Sequence, residues 1–207
     1  MHTVILVDFD GTITKEDTCI AMANNFAKKG WKMIEEEWRS GKLTTEQCSL
    51  KLFEFMDIDQ KKLEKLLYSI EIDESFIDFL DFCKIKKYRV IITSDGFDFN
   101  IKTILSRYNI NLEFYSNKLK FTDGIINAEF YTSKECEKCG MCKLNVLKKF
   151  KDNNTRIIYI GDGYSDICVA KYADVVFAKN VLLSYCIENN ISHIPFNNFS
   201  DIIKKLK

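Results

Sequence analysis

The sequence predicts an α/β fold: a doubly wound parallel sheet with an inserted small helical cap domain. Short apolar, β-branched runs alternate along the chain with segments of helical periodicity, and the first run covers residues 4–7. Such runs are typical of strands buried on both faces, and their alternation with helices is typical of a parallel sheet covered on both sides. One long segment, residues 18–69, has helical periodicity and no strand signal, so it is interpreted as an insertion.

The elements of the core follow from the positions of the apolar runs. Strands are predicted at residues 4–7, 88–93, 156–160, 174–177 and 193–196. Helices are predicted at residues 76–86, 99–108, 142–151, 165–172 and 182–189, with one more at the C-terminus. Alternating residues between positions 112 and 131 predict further strands around a turn at Asp123 and Gly124, because Asp-Gly is a strong turn signal.

The insertion is predicted to contain short helices. Its apolar residues recur at helical spacing, beginning with Ile20 and Ala23. Thr44 and Gln47 have the spacing of a capping box just before Leu50, which indicates the start of one of these helices. The predicted boundaries are 1–14 and 73–207 for the catalytic core and 15–72 for the helical cap. The cap is expected to lie over the carboxyl edge of the sheet.

The composition is ordinary for a soluble globular protein, with enough apolar residues to fill a core. Of the 207 residues, 46% are hydrophobic and 29% are charged, and the 30 basic residues balance the 30 acidic ones. This balance argues against nucleic acid and anionic membranes as partners. No apolar run approaches the ~18 residues of a membrane span, and the run at residues 4–7 is too short for a signal peptide. A cytoplasmic location is expected, and the oligomeric state stays open.

The first strand leads into a pair of carboxylates, Asp8 and Asp10, followed by Gly11. Side chains two residues apart on an extended segment share a face, so both carboxylates are expected to point the same way. Gly11 allows a tight turn and a close approach of the backbone to an anion. Because ligands bind outside the carboxyl ends of strands in open parallel sheets, this pair is expected to belong to a site.

Further polar groups follow the later strands. Residues 93–96 read Thr-Ser-Asp-Gly after the second apolar strand, Lys143 begins a helix, and residues 161–166 carry Asp162 and Asp166. Phosphoryl transfer needs a nucleophile, a proton donor for the leaving oxygen, and cations against the phosphoryl charge. Carboxylates around a hard cation suit Mg²⁺. Ser94 can supply a hydroxyl donor, and Lys143 can supply a positive charge.

These four motifs, in this order and in this strand context, resemble those of the haloacid dehalogenase superfamily, and the resemblance covers the whole chain. It implies Mg²⁺-dependent hydrolysis of a small-molecule phosphomonoester through an aspartyl-phosphate intermediate. It also implies that Asp8 attacks phosphorus and binds the metal, and that Asp10 is general acid and then general base. The helical insertion resembles the cap of the phosphoserine-phosphatase-like branch.

The same resemblance assigns the other site residues. It makes Ser94 and Lys143 catalytic phosphate ligands, and it puts Asp162 and Asp166 at the metal beside Asp8 and the backbone carbonyl of Asp10. The candidate substrate-binding residues are Gly11, Thr12, Asp17, Asp95 and Gly96. Asp17 and Asp95 could instead form hydrogen bonds behind the site, and the sequence leaves both options open.

Two groups within this branch share further features with the chain. Residues 136–143, Cys-Glu-Lys-Cys-Gly-Met-Cys-Lys, and the tail at residues 177–196 are similar to the methionine-salvage phosphatases, which act on a keto-enol phosphate. The tripeptide Met-Cys-Lys at residues 141–143 and the pair Ser94-Asp95 resemble the corresponding segments of the phosphoethanolamine/phosphocholine phosphatases. Phosphoserine phosphatases usually have Glu in place of Asp17 and Gly in place of Asp95. The keto-enol phosphate is the expected substrate, with phosphoserine or phosphoethanolamine/phosphocholine as alternatives.

A phosphoacceptor regulatory module without turnover is the alternative from another functional class. Such modules also carry acidic residues, a Ser or Thr and a Lys on a doubly wound sheet. They are shorter, however, and lack a helical insertion after the first motif. Asp10 also argues against a long-lived phosphoryl group, because it can activate the water that removes it. The sequence therefore favours catalysis.

Three of the eight cysteines, Cys136, Cys139 and Cys142, have the spacing of metal ligands. A fourth ligand is not local to this segment, and Cys168 or a water molecule is a candidate. The alternative is a loop of reduced thiols without metal. The other five cysteines are expected to be small core residues.

Overall fold

A computed structural model describes residues 2–122, 124–133, 136 and 138–207. Within these residues, seven strands form one sheet in the order β4-β3-β2-β1-β5-β6-β7. Neighbouring strands are parallel except β3 and β4, which form an antiparallel pair. The strands are β1 (His2–Val7), β2 (Arg89–Phe97), β3 (Glu113–Thr122), β4 (Ile125–Glu129), β5 (Thr155–Gly161), β6 (Val175–Ala178) and β7 (Ile194–Pro195).

The central strand β1 explains why the sheet is covered on both faces. Ile5 and Val7 pack into one hydrophobic cluster, whereas Val4 and Leu6 pack into a second cluster on the opposite face. This alternation follows from the two-residue period of a strand. A continuous apolar run therefore needs a layer of helices on each side, which confirms the doubly wound fold.

Helices cover both faces of this sheet and form the insertion. They are α1 (Thr18–Phe26), α2 (Trp31–Arg39), α3 (Thr45–Phe55), α4 (Gln60–Leu67), α5 (Phe76–Lys86), α6 (Asp98–Ser106), α7 (Lys143–Phe150), α8 (Ile167–Ala170), α9 (Asn180–Glu188) and α10 (Phe199–Leu206). A short 3₁₀ helix (Tyr164–Asp166) precedes α8. No helix in the described part of the chain is long and apolar enough to cross a membrane.

The helices α1 to α4 lie between β1 and α5. Thr14 and Ile72 form an isolated antiparallel bridge, so the chain leaves and re-enters the core at neighbouring points. The capping box expected at Thr44 and Gln47 is present at the start of α3, with both of its hydrogen bonds formed. The exact division into core and cap at residues 14/15 and 72/73 stays a prediction.

Several predicted elements differ from the structure in extent. Strand β2 continues to Phe97 because residues 94–96 stay extended, with a shift of register that the apolar pattern does not show. The helix predicted at 165–172 is only α8 with its 3₁₀ turn, since the Asp166 carboxylate accepts the backbone N–H groups of Asp162 and Gly163 and tightens this segment. The last strand, predicted at 193–196, is limited to Ile194–Pro195, because Pro195 lacks a backbone donor.

The strands predicted between 112 and 131 are the hairpin of β3 and β4. Gly124 has a φ of 78°, the left-handed region in which glycine is favoured. Asp123, the other residue of the predicted turn, lies outside the described residues. The antiparallel β4 is thus an edge addition to an otherwise parallel sheet.

Candidate active site

The carboxyl ends of β1, β2 and β5 border a cavity of about 270 Å³ between the sheet and the helical insertion. Asp8 follows β1, and its backbone N–H donates to the carbonyl of Ile160 at 2.9 Å. Asp8 and Asp10 both line the cavity, whereas Phe9 between them is fully buried in the hydrophobic core. The two carboxylates therefore share a face, as the sequence predicts.

A buried ion-pair network forms the base of this cavity. Lys143 is the first residue of α7, and its Nζ donates to Asp8 Oδ1 and to Asp166 Oδ1, each at 2.5 Å. The hydroxyl of Tyr159 donates to the same oxygen of Asp166 at 2.5 Å. All four side chains are buried, with Lys143 only 2% exposed. One cation is thus shared between two carboxylates in a region of low dielectric.

The electrostatics of the network leave an excess of negative charge. Burial, together with repulsion from Asp166, raises the pKa of Asp8 well above its usual range, although Lys143 opposes this rise. Burial also raises the pKa of Asp162, and Asp166 adds to the effect. Burial lowers the pKa of Lys143, but the carboxylates of Asp166 and Asp8 outweigh it, so the pKa lies well above its usual value. A further cation would stabilise the ionised carboxylates.

Three carboxylates are placed to hold that cation. Oxygens of Asp8, Asp162 and Asp166 lie within 4.8 Å of one another. Asp162 is oriented by the hydroxyl of Thr12, which donates to Oδ1 at 3.0 Å, and by the amide of Asn180, which donates to Oδ2 at 3.1 Å. A donor set made of carboxylate oxygens suits a hard divalent cation such as Mg²⁺. The residues present therefore fit the metal that the sequence predicts.

Asp10 is held apart from this group by its own hydrogen bonds. Its Oδ2 accepts the hydroxyl of Ser94 at 2.9 Å. Its Oδ1 accepts both the backbone N–H of Thr18, at 3.1 Å, and the hydroxyl of the same residue. Asn100 in turn donates to Thr18 Oγ1 at 2.9 Å. Thr18 thus connects Asp10 to the first turn of α1, where the helix dipole favours a carboxylate.

Two glycines allow carboxylates of the site to lie close to the backbone: Gly11 beside Asp162, and Gly96 beside Asp10. Gly11 has a φ of +75°, and a Cβ there would lie 2.8 Å from Asp162 Oδ2. A Cβ at Gly96 would lie 2.6 Å from Asp10 Oδ2. Any side chain at either position would displace the carboxylate behind it. Both glycines therefore shape the site through the space that they leave.

The predicted site residues fall into two layers. One layer lines the cavity: Asp8, Asp10, Asp17, Asp95, Gly96 and Asp162. The residues of the other layer lie behind the cavity surface and contact the first layer or leave space for it: Gly11, Thr12, Ser94, Lys143 and Asp166. The predicted roles of both layers in catalysis and substrate binding stay predictions.

Asp17 and Asp95 are already engaged within the protein. Asp17 caps α1, where its carboxylate accepts the backbone N–H of Ile20 at 2.9 Å, and burial raises its pKa to about 7. Asp95 accepts the backbone N–H of Met141 on Oδ1 and the hydroxyl of Thr45 on Oδ2, both at 2.7 Å. Asp95 therefore joins the insertion to the loop that precedes Lys143.

The insertion supplies an apolar wall to the cavity. The wall consists of Ile20, Ala23, Trp31, Trp38 and Leu52. The Trp38 indole N–H donates to Thr45 Oγ1 at 3.1 Å, and its ring packs edge-on against Tyr164 with centroids 5.9 Å apart. Helix α2 thus contacts the core directly beside Asp162.

Four residues that the sequence analysis did not select take part in this arrangement: Thr18, Thr45, Tyr159 and Tyr164. Tyr159 lies within an apolar strand, where a hydroxyl gives no pattern of its own. Thr18 begins a helix one residue after an acidic N-cap, which is a signal that could have selected it. Thr45 donates to Asp95, 50 positions away, and the ring partner of Tyr164 is the distant Trp38, so spacing could not indicate these contacts.

Comparison with known proteins supports an enzymatic site. A family model described as "Putative Phosphatase" matches residues 3–199. A 2-hydroxy-3-keto-5-methylthiopentenyl-1-phosphate phosphatase of Bacillus cereus is 30% identical over all of this chain and 97% of its own length. A protein of the same name from Bacillus thuringiensis is 29% identical, with the same coverage.

Solved structures share the fold. A phospho-aspartyl intermediate analogue of phosphoserine phosphatase superposes with a TM-score of 0.75 and 26% identity, covering 100% of this chain and 99% of its own. A substrate-bound phosphoserine phosphatase has the same TM-score and coverage at 24% identity, which is evidence for the fold alone.

Proposed function

The chain belongs to the putative phosphatase family, and from that premise we propose that it hydrolyses a small phosphomonoester with Asp8 as the nucleophile. The resemblance to haloacid dehalogenase phosphatases and the assignment as a phosphatase are both confirmed by these comparisons. What the proposal adds is the role of each residue, the metal and the substrate.

One observation carries the assignment of roles. Asp8 and Asp10 both line the cavity, but only Asp8 belongs to the ion-pair network of Lys143. Neighbouring carboxylates with such different partners are suited to different tasks. The positive charge of Lys143 favours the ionised form of Asp8, which a nucleophile needs. Asp10 instead accepts hydrogen bonds from hydroxyl and backbone donors.

The reaction then proceeds in two balanced steps. Asp8 attacks phosphorus, the bond to the leaving oxygen breaks, and Asp10 gives its proton to that oxygen. In the second step Asp10 takes a proton from water, which attacks the phosphorus and releases phosphate from Asp8. Thr18 and Ser94 keep Asp10 beside the reacting atoms, since they donate to its two different oxygens.

A magnesium ion would be held by the carboxylates of Asp8, Asp162 and Asp166. When bound, it supplies positive charge against the phosphoryl oxygens and the attacking carboxylate. Lys143 contributes a second positive charge from behind Asp8, and Tyr159 fixes Asp166 through its hydroxyl. Thr12 and Asn180 hold Asp162 from both of its oxygens.

The proposed substrate is the keto-enol phosphate of the Bacillus relatives, 2-hydroxy-3-keto-5-methylthiopentenyl-1-phosphate. The apolar wall of the insertion, including Trp31, Trp38 and Leu52, suits a thioether tail. The cavity of about 270 Å³ between the sheet and the insertion admits a small molecule rather than a protein or nucleic acid. A cytoplasmic location agrees with such a metabolite.

Phosphoserine is the second candidate, because the phosphoserine phosphatase intermediate analogue has nearly the same fold at full coverage. Phosphoethanolamine and phosphocholine would need a free carboxylate for their cationic head. The cavity carboxylates that could serve are already engaged: Asp17 and Asp95 accept internal hydrogen bonds, and Glu35 pairs with Arg39. This observation favours the substrate with an apolar tail.

The test is a side-by-side measurement of kcat/KM for the keto-enol phosphate, phosphoserine, phosphoethanolamine and pyridoxal phosphate. We expect the first to exceed the others by at least about tenfold, since each methylene that an apolar pocket buries is worth about 1–3 kcal/mol. Asp95→Asn should reduce kcat/KM for all four esters by a similar factor, because it disturbs the link between Thr45 and Met141. A preference for phosphoethanolamine that disappears in Asp95→Asn would overturn the substrate proposal.

A further inference from the structure

The proposed reaction leaves one cluster of reactive side chains unused. The four-cysteine cluster consists of Cys136, Cys139, Cys142 and Cys168. The Sγ atoms of Cys136 and Cys139 are 3.3 Å apart. The side chains of Cys142 and Cys168 also form hydrogen-bond contacts with Cys136. Cys136 is therefore the centre around which the other three thiols gather.

The fold brings this cluster together from two separate segments. Cys136, Cys139 and Cys142 lie in the loop before α7, with Cys142 as the N-cap residue of that helix. Cys168 lies in α8, which follows β5. The sequence spacing offers only three local ligands, and the structure supplies the fourth from a distant element. All eight cysteines lie within the described part of the chain and are free thiols.

We propose that the four-cysteine cluster binds one zinc ion as a structural tetrathiolate site. Zinc in such sites is tetrahedral with Zn–S bonds of about 2.3 Å, which places the sulfurs about 3.8 Å apart. The separation of 3.3 Å between Cys136 and Cys139 already approaches this value. On binding, each thiol forms one Zn–S bond and releases its proton to solvent, and nothing is oxidised or reduced.

Other occupants fit less well. A [4Fe–4S] cluster attaches each of its four cysteines to a different iron atom, so it spaces all of them more widely than the pair at 3.3 Å. A hard cation such as Mg²⁺ prefers oxygen ligands and belongs with the carboxylates of the cavity. None of the four cysteines is among the described residues that line the cavity, so the zinc would be structural rather than catalytic.

The position of the cluster explains what the zinc would do. Cys142 directly precedes Lys143, and Cys168 lies two residues after Asp166. The two segments that zinc would join are thus the ones that carry the ion pair of Lys143 with Asp166, at 2.5 Å. The same loop contacts the insertion, because the carbonyl of Lys138 accepts the backbone N–H of Thr45 at 2.9 Å. Zinc would fix Lys143 in place from outside the cavity.

The first experiment measures metal in the full chain, purified with a thiol reductant and without chelator. Elemental analysis should find about one zinc per chain, and replacement with Co²⁺ should give the strong visible absorption of a tetrahedral tetrathiolate. Substoichiometric zinc after reconstitution with excess zinc, or a cobalt spectrum without thiolate bands, would overturn the proposal. So would a Cys136–Cys139 disulfide that persists under those reducing conditions.

The second experiment tests the ligand set with matched variants. Cys168→Ser should weaken zinc binding by more than about a hundredfold in competition with a chelator, because it removes a thiolate supplied by the second segment. Cys186→Ser, which changes a buried cysteine of α9 outside the cluster, should leave the zinc affinity unchanged. Unchanged affinity in Cys168→Ser would exclude the four-ligand site. If that variant fails to fold, the wild-type cobalt spectrum still decides the question.

Neither measurement depends on the proposed phosphatase reaction. Zinc content and the cobalt spectrum report on the thiols alone, whereas the panel of phosphate esters reports on the carboxylate site. Each proposal can therefore fail while the other stands.

Discussion

The base of the cavity and its apolar wall are built from opposite kinds of interaction. At the base, Asp8, Lys143, Tyr159 and Asp166 are buried and joined by hydrogen bonds of about 2.5 Å. The wall on α1 to α3 is apolar, and Trp38 supplies a directional contact to Thr45. The base holds its side chains through directional hydrogen bonds between charged groups, while the wall offers shape and hydrophobic surface.

This difference indicates which part determines the reaction and which part determines the substrate. A network of buried charges tolerates little change, because each partner that is lost leaves another charge unpaired. An apolar wall tolerates substitution and changes affinity gradually. Mutations at the base should therefore act on turnover, and mutations in the wall should act on KM.

The largest effect is expected for Asp8→Asn. Without the nucleophile, turnover should fall by more than about a thousandfold. The fold should be as stable as the wild type or more so, because Lys143 keeps Asp166 as its partner and burial already disfavours the ionised form of Asp8, whose pKa it raises. Steady-state rates and thermal unfolding measure the two effects.

Asp81→Asn, at an exposed position on α5, is the control for both measurements. It should change neither the rate nor the midpoint of unfolding. Near-normal turnover in Asp8→Asn would remove Asp8 from the chemistry and with it the distinction between base and wall.

Lys143→Met should lose both activity and stability. It leaves Asp8 and Asp166 facing each other without their shared cation, and breaking a buried charge pair in this way costs about 3–5 kcal/mol. Urea denaturation measures the loss. As the matched control, Lys151→Met removes an exposed ion pair with Asp174 and should change the free energy of unfolding by less than about 1 kcal/mol. Equal losses in the two variants would show that Lys143 does not offset the charges of Asp8 and Asp166 as described.

A smaller and different effect is expected in the wall. Trp38→Leu should raise KM for the keto-enol phosphate by about tenfold and change kcat less, since it removes apolar surface without touching the base. Trp38→Phe keeps a ring against Tyr164 but loses the N–H donated to Thr45, so its effect should be smaller. A fall in kcat at constant KM in both variants would place Trp38 with the catalytic residues instead.

The smallest effect concerns the pH dependence of stability through Asp17. Its pKa is raised from 3.8 to about 7 by burial, so the folded state holds a proton that the unfolded state releases. Stability from this group is therefore greatest below about pH 4 and is lost as pH rises to about 7. Asp17→Asn keeps an N-cap for α1 but removes this dependence.

Urea denaturation between pH 4 and pH 8, with chelator present, measures that difference. The wild type should lose stability relative to Asp17→Asn as pH rises through this range. Parallel curves for the two proteins would show that Asp17 is ionised throughout and free to contact a cationic substrate.

The sequence predicts the base of the cavity much better than the wall. Asp8, Asp10 and Asp162 follow strands with strong apolar patterns, so the topology of a parallel sheet brings them together. The spacing of Asp8 and Asp10 even predicts that they share a face. These inferences need only strand periodicity and the position of each residue along it.

The contacts between the insertion and the core could not be predicted in this way. The bond from Thr45 to Asp95 spans 50 positions, and its formation depends on how α3 packs against β2. The hydroxyl of Tyr159 lies on a strand whose pattern is otherwise apolar, so only the fold shows that it donates to Asp166. The fourth cysteine of the cluster is missing from its local motif for the same reason.

The central claim is that Asp8 becomes phosphorylated, and Asp10→Asn tests it most directly. With nitrophenyl phosphate, whose leaving group needs no proton, this variant should form the aspartyl-phosphate and release phosphate slowly. Rapid quenching followed by peptide mass spectrometry should then find about one phosphoryl group per chain, on Asp8, with a burst of nitrophenolate of the same size. Turnover without any phosphorylated protein, or a phosphoryl group on another residue, would contradict the account.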